Sequence, residues 1–138
     1  MKIENVIFGN LINNEEYARK VIPFLKSEYF TDNVDRTVYE LIEEYVGKYS
    51  KFPTREALAI DLGNKGGLSD DQFKSAETLI GDLAKSEDRE IDWLIDSTEK
   101  FCKDKALYNA LMESIKLVDD NKRKDGISVG AIPQLLSD

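Results

Sequence analysis

The sequence predicts an all-α protein with a globular helical head over residues 1–86 and a long helical hairpin over residues 87–138. Apolar residues recur at spacings of three and four along nearly the whole chain, as they do on one face of a helix. No segment shows the sustained alternation or the richness in β-branched residues that a strand needs. Neither glycine nor proline appears from Glu90 to about Lys122, which favours one long helix.

The first part of the head is predicted as two helices joined by a capped turn. Helical spacing links its first apolar residues, Ile3, Val6, Ile7 and Leu11. Asn13 and Glu16 stand three residues apart, as in a capping box at the start of the second helix. Pro23 is expected to interrupt that helix, since proline lacks a backbone N–H.

The rest of the head is predicted as three further helices. The first covers about 33–49, where apolar residues recur at three and four. Thr54 is the expected N-cap of the second, and the three glycines within residues 63–67 are expected to end it. Ser69 and Gln72 form the expected capping box of the third.

The second half of the long helix is apolar on more than one side. A polar turn and a shorter apolar run follow it, so the end of the chain is predicted to fold back as a helical hairpin. One short return arm cannot cover so wide an apolar surface, and we expect a second copy of the chain to cover it. The expected contact residues are Leu107, Tyr108, Leu111, Met112, Ile115, Val118, Ile132 and Leu135. The chain ends without a capping signal, which predicts that it is a fragment of a longer protein.

Composition excludes several functions. Residues 101–138 are balanced in charge, so the first hundred residues carry the whole net charge of −8, and little direct nucleic-acid binding is expected. The chain has no histidine, no GxxxxGK[ST] loop and no GxGxxG turn, so no catalytic, metal or cofactor site is predicted. Adjacent acidic pairs such as Glu43-Glu44 point about 100° apart on a helix, which argues against a carboxylate enzyme. No apolar run reaches the ~20 residues of a membrane span, and no signal peptide is present, so a cytoplasmic protein is expected.

Several segments together resemble the N-terminal domain of DnaB-type replicative helicases, most closely that of the T-even-type phage helicases. They are IENVIFGNLI, the connector SEYF before VYELI, FPTREAL, FCKDKALYNAL and SVGAIPQLL, and the resemblance covers nearly all 138 residues. Bacterial members usually place a histidine just before the VYELI-like helix, and Asp35 stands near that place in this chain, after an apparent extra residue. The resemblance implies a collar domain of a hexameric helicase in the host cytoplasm, whose ATPase motor lies beyond this chain. It also implies two partners, namely other copies of the chain, as a dimer or hexamer through the hairpin, and the primase.

Two questions stay open at this stage. Tyr29 and Phe30 either plug the helical head or line a pocket that docks a partner, while Asp32 or Asn33 caps the next helix. The alternative function is a free-standing helical phage adaptor or regulatory protein without a motor. A RecA-like motor downstream in the same reading frame would exclude that alternative.

Overall fold

The computed structural model describes residues 2–83 and 90–123. Six α-helices lie in these ranges: α1 (Ile3–Asn13), α2 (Glu15–Val21), α3 (Asn33–Tyr49), α4 (Arg55–Asn64), α5 (Asp70–Asp82) and α6 (Ile91–Arg123). Short 3-10 helices cover Ile22–Phe24 and Ser27–Tyr29, and the described residues include no strand. The all-α prediction is confirmed. The return arm of the predicted hairpin lies outside the described residues.

Two helices begin at the side-chain caps that the sequence predicts. Thr54 Oγ1 accepts a hydrogen bond from the Ala57 N–H at 3.1 Å and starts α4. Ser69 and Gln72 exchange side-chain-to-backbone bonds of 3.1 and 3.0 Å at the start of α5, so the predicted capping box is confirmed. These caps satisfy backbone N–H groups that have no partner inside the helix.

The cap predicted for the second helix was wrong by one residue. The N-cap of α2 is Asn14, whose Oδ1 accepts a hydrogen bond from the Tyr17 N–H at 3.1 Å. Asn13 is the last residue of α1, and its side-chain amide instead donates to the Leu83 carbonyl at 3.3 Å. Asn13 still belongs to α1, whereas Asn14 has the extended backbone that an N-cap residue adopts, with φ −133° and ψ 92°, so the cap lies one residue later.

Helix α3 has the predicted range, and Asp32 rather than Asn33 caps it. Asp32 Oδ1 accepts hydrogen bonds from the N–H groups of Val34 at 2.8 Å and Asp35 at 3.2 Å. The helix ends at Ser50, whose φ of 56° places it in the left-handed region. Helix α4 continues through Gly63, so the turn glycine is Gly67, with a φ of +84°.

Residues 1–99 form one compact unit, with a core shared by all of its helices. At its centre the Phe30 ring lies 5.0 Å from the Phe8 ring and 4.9 Å from the Tyr39 ring, measured between centroids. The first turns of α6 contribute to this unit, because the hydroxyls of Tyr17 and Thr98 lie 2.6 Å apart and both residues are buried. The core therefore joins residues separated by most of the length of the unit.

The second compact unit begins at Lys100, and the part of it that the structure describes is the remainder of α6. The predicted long helix is confirmed as the single α-helix Ile91–Arg123. The predicted boundary between head and hairpin, after residue 86, falls in a stretch that the structure does not describe, and it stays a prediction.

Candidate interaction surfaces

The second unit exposes a large apolar surface on α6. Five bulky apolar side chains are between 42 % and 59 % exposed: Leu107, Tyr108, Leu111, Met112 and Ile115. They follow one another at spacings of one, three and four residues, so they form one continuous stripe along the helix. All five belong to the predicted contact set.

The less exposed positions on this part of α6 are a mixture of polar and apolar residues. Ser114 is buried, with its hydroxyl bonded to the Ala110 carbonyl at 2.9 Å, while Ala110 and Leu117 are half-buried. The bulkiest apolar side chains of residues 107–115 are therefore in contact with solvent. In the usual amphipathic arrangement the apolar stripe faces the core instead.

Of the other three predicted contact residues, the structure describes one. Val118 is half-buried on α6. Ile132 and Leu135 lie outside the described residues. Self-association through this surface stays a prediction, and the exposed stripe supplies the surface that it needs.

The two adjacent aromatic residues of the head have different environments. The Phe30 ring has no exposed surface and lies between Phe8 and Tyr39. Tyr29 ends a 3-10 turn and is half-buried. Phe30 is therefore a core residue in this structure, and Tyr29 is the one of the pair with surface that a docking partner could reach.

A buried carboxylate lies close to this core. Asp35 Oδ2 lies 2.8 Å from Lys2 Nζ, and the Asp35 side chain is almost fully buried whereas that of Lys2 is half exposed. Burial raises the pKa of Asp35 above its usual value, and the hydrogen bond from Lys2 offsets only part of that effect. The hydrogen bond to Asp35 raises the pKa of Lys2. The pair therefore stabilises the charged form of Lys2. The charged form of Asp35 is destabilised, because burial removes the carboxylate from water.

We expect Asp35→Asn to change the pH dependence of the free energy of unfolding more than its value at neutral pH. The raised pKa of Asp35 contributes stability that is fully present below pH 3.8, the ordinary carboxyl value, and is lost as pH rises through the folded-state pKa. The free energy of unfolding of wild type relative to Asp35→Asn should therefore fall between acid and neutral pH. At neutral pH the substitution should change stability by less than about 1 kcal/mol, because the half-exposed Lys2 is screened by solvent.

Urea denaturation of both proteins across this pH range measures the difference. Glu77→Gln, at an exposed position on α5, is the matched control and should leave the pH profile of wild type unchanged. A difference that grows as pH rises would mean that the ion pair outweighs the burial of Asp35, contrary to this expectation.

The head also carries an open groove of about 360 Å³ between α3 and α4. Its walls include Tyr45 and Tyr49, whose ring centroids lie 4.8 Å apart, together with the carboxylates Glu44 and Asp61. The sequence interpretation missed this groove. The available signal was Tyr49, which continues the i, i+4 spacing of Leu41 and Tyr45 to the last turn of α3, where it is 57 % exposed.

The described ranges contain neither a membrane-spanning helix nor a cluster of metal ligands. Among residues 2–83 and 90–123, no helix combines the length and apolar character needed to cross a membrane. In the same ranges, no three His, Cys, Asp or Glu side chains gather as metal ligands would.

Comparison with known proteins finds similarity to a replicative helicase. No protein-family model matches the chain. The DnaB-like replicative helicase of Enterobacteria phage T4 is 31 % identical to it over 137 aligned residues, which cover 95 % of this chain. The chain is homologous to part of a DnaB-like replicative helicase. The aligned region is 28 % of the length of the phage T4 protein, so this chain corresponds to a little over a quarter of that helicase.

The homology confirms the DnaB-type resemblance read from the sequence. A match over nearly the whole chain but little over a quarter of the relative is consistent with the N-terminal domain of a DnaB-like helicase. The apolar stripe on α6, the buried aromatic core and the α3–α4 groove are thus features of a chain that is similar to part of a phage helicase.

Proposed function

We propose that the chain is the N-terminal collar domain of a hexameric phage replicative DNA helicase, which supports assembly of the ring and docks the primase. The homology to the phage T4 helicase supports this protein class. The observation that carries the role in assembly is the exposed apolar stripe on α6, from Leu107 to Ile115. A soluble monomer rarely leaves so many adjacent apolar side chains in water.

A second copy of the chain is the proposed cover for this stripe. Burying one leucine against a partner contributes roughly 1.5–3 kcal/mol relative to leaving it exposed. A two-fold interface doubles every such contact, because each copy supplies the same residues. These side chains are already about half buried, so ten of them, five from each copy, contribute about 8–15 kcal/mol, which is comparable to the roughly 4–15 kcal/mol cost of association. The result is a dimer, or a hexamer built from such contacts.

The remaining parts of the proposal concern partners and chemistry. The primase is the proposed partner of the head, and host cytoplasm is the proposed location. The chain itself holds no cofactor and hydrolyses no ATP in this proposal, because the sequence has no phosphate-binding loop. The acidic first hundred residues repel phosphates, so contact with DNA falls to the rest of the helicase.

Deletion in the complete helicase tests the proposed function. Removing residues 1–138 should abolish stimulation by the primase, since the docking domain is lost, while the motor still hydrolyses ATP. The measurement compares primer synthesis and ATP turnover of the full and truncated helicases with the primase from the same genome. Primase stimulation that survives the deletion contradicts the proposal, and the absence of any motor downstream in the same reading frame favours a free-standing adaptor.

A further inference from the structure

The exposed stripe on α6 contains a narrower seam of the kind that two packed helices share. Four apolar residues follow one another at spacings of three, four and three, namely Tyr108, Leu111, Ile115 and Val118. Such spacings average about 3.5 residues, the repeat that keeps one side of a helix against a partner helix. Tyr108, Leu111 and Ile115 are each between 42 % and 54 % exposed, so most of this seam is open to a partner.

Charged residues before this seam disfavour a parallel pair of helices. Asp104 occupies the seam position one heptad before Leu111, and it forms an exposed ion pair with Lys100 of its own helix at 2.8 Å. In a parallel pair each seam residue faces the same residue of the second copy, so two Asp104 carboxylates would meet and leave water. Lys100 of one helix would also lie beside Lys105 of the other, and like charges placed together weaken an interface.

An antiparallel pair avoids both conflicts in one register. A two-fold axis between Leu111 and Ile115 packs each of these residues against the other one in the second copy, and it packs Tyr108 against Val118. Four consecutive layers of the contact are then apolar on both sides. Asp104 lies beyond these layers, so its ion pair within the same helix is not buried among apolar side chains.

The two neighbouring antiparallel registers fit less well. An axis between Tyr108 and Leu111 would place the Asp104 carboxylate against Ile115. An axis between Ile115 and Val118 would place Tyr108 opposite position 125, which is beyond the end of α6. Each of these registers therefore loses apolar layers that the axis between Leu111 and Ile115 keeps.

The flank of the seam supports the same register. In antiparallel helices the residues on one flank meet the residues on the same flank of the second copy, and the axis between Leu111 and Ile115 brings Lys105 alongside Asp119. Since the axis is two-fold, this pair of opposite charges forms twice. Met112 lies on the same flank, at the axis, where it meets its own copy. The other charged residues of this stretch fall further round the helix, namely Lys103, Glu113, Lys116 and Asp120.

We infer that two copies of the chain pack the second half of α6 antiparallel, with a two-fold axis between Leu111 and Ile115 and with Lys105 of each copy beside Asp119 of the other. The inference rests on the proposed self-association through the apolar stripe, and it adds the direction and the register of the contact. Two copies can also associate in another arrangement, so direction and register are measured separately from self-association.

Disulfide formation between introduced cysteines measures the direction. A disulfide needs Cα atoms within about 7 Å, whereas residues ten apart on a helix lie about 15 Å apart along its axis. A mixture of Tyr108→Cys and Val118→Cys should therefore form covalent dimers after oxidation, while Tyr108→Cys alone should not. A parallel pair gives the opposite result, because Tyr108 would then face its own copy. Wild type controls for Cys102, which is buried.

Charge reversal, followed by sedimentation equilibrium, measures the register. Lys105→Glu and Asp119→Lys each turn two attractive pairs into repulsive ones, and each should weaken self-association about tenfold. The variant with both changes restores opposite charges and should stay within about threefold of wild type. Glu113→Lys makes the same charge change as Asp119→Lys at an exposed position on the far side of the helix, and it should also stay within about threefold. In a parallel pair Lys105→Glu would instead strengthen association, since it would lie beside Lys100.

Circular dichroism checks that each variant keeps its helices, and if the cysteine variants do not associate, the charge variants decide the question. Covalent dimers of Tyr108→Cys alone overturn the inference but leave self-association in place. A doubly reversed variant that associates no better than the single variants overturns it too, as does an equal loss in Glu113→Lys and Asp119→Lys, which indicates diffuse charge attraction. A wild-type chain that stays monomeric at high micromolar concentration overturns the proposed self-association and this inference together.

Discussion

Leu111→Asp is expected to weaken self-association of the chain by about a hundredfold or more while leaving the head folded. Leu111 lies in the middle of the apolar stripe on α6, between Leu107 and Ile115, and is 42 % exposed. Full burial of a leucine contributes roughly 1.5–3 kcal/mol, so the exposed 42 % of Leu111 contributes about 1 kcal/mol in each copy, and the unpaired charge placed in an apolar interface costs more than that. Since about 1.4 kcal/mol corresponds to a factor of ten, the two copies together account for the expected loss.

Sedimentation equilibrium on wild type and Leu111→Asp measures this effect. The matched control is Ile60→Asp, which puts the same charge on an apolar side chain that is 65 % exposed on α4, outside the stripe. The control should associate as wild type does. Two results would disprove self-association through the stripe: a wild-type chain that stays monomeric at high micromolar concentration, or a Leu111→Asp variant that associates as tightly as wild type.

Local patterns in the sequence were sufficient to predict features that depend on neighbouring residues, such as the start of a helix or its continuation. Thr54, Ser69 and Gln72 cap their helices through bonds that span three residues, so the sequence shows both partners side by side. The long helix was predictable because neither glycine nor proline interrupts it. The sequence also showed that apolar residues surround the second half of this helix on more than one side. In the structure the bulkiest of these side chains are exposed to solvent.

Contacts between distant residues account for what the sequence did not show. Asn13 looked like a helix cap, but Leu83, seventy residues away, receives its side-chain hydrogen bond. Asp35 is buried against Lys2, thirty-three residues away, and no local pattern marks that pairing. The α3–α4 groove was missed because a tyrosine at helical spacing predicts a core position equally well, and only packing leaves Tyr49 exposed.

Phe30→Ala is expected to lower the free energy of unfolding of the head by about 3–5 kcal/mol, a large share of the stability of a small domain. The Phe30 ring is fully buried and packs on the rings of Phe8 and Tyr39, so its removal leaves a cavity among rigid aromatic neighbours. Each lost aromatic pair adds about 0.5–1.5 kcal/mol to the effect of the lost area. Phe30→Leu keeps most of the volume and should cost less than half as much.

Urea denaturation followed by circular dichroism compares these variants with Phe73→Ala, the same truncation at a half-buried position on α5. Phe73→Ala should destabilise the head much less, because its ring already contacts solvent and leaves a smaller cavity. The comparison also separates the two roles considered for Tyr29 and Phe30. If Phe30 only fills the core, the Phe30→Leu variant should bind the primase as wild type does. If Tyr29 docks the primase, Tyr29→Ala should weaken that binding with little change in the stability of the core. A cost for Phe30→Ala no larger than that for Phe73→Ala would refute the central position of Phe30, since a ring held between Phe8 and Tyr39 cannot be removed without leaving both of them partly unpacked.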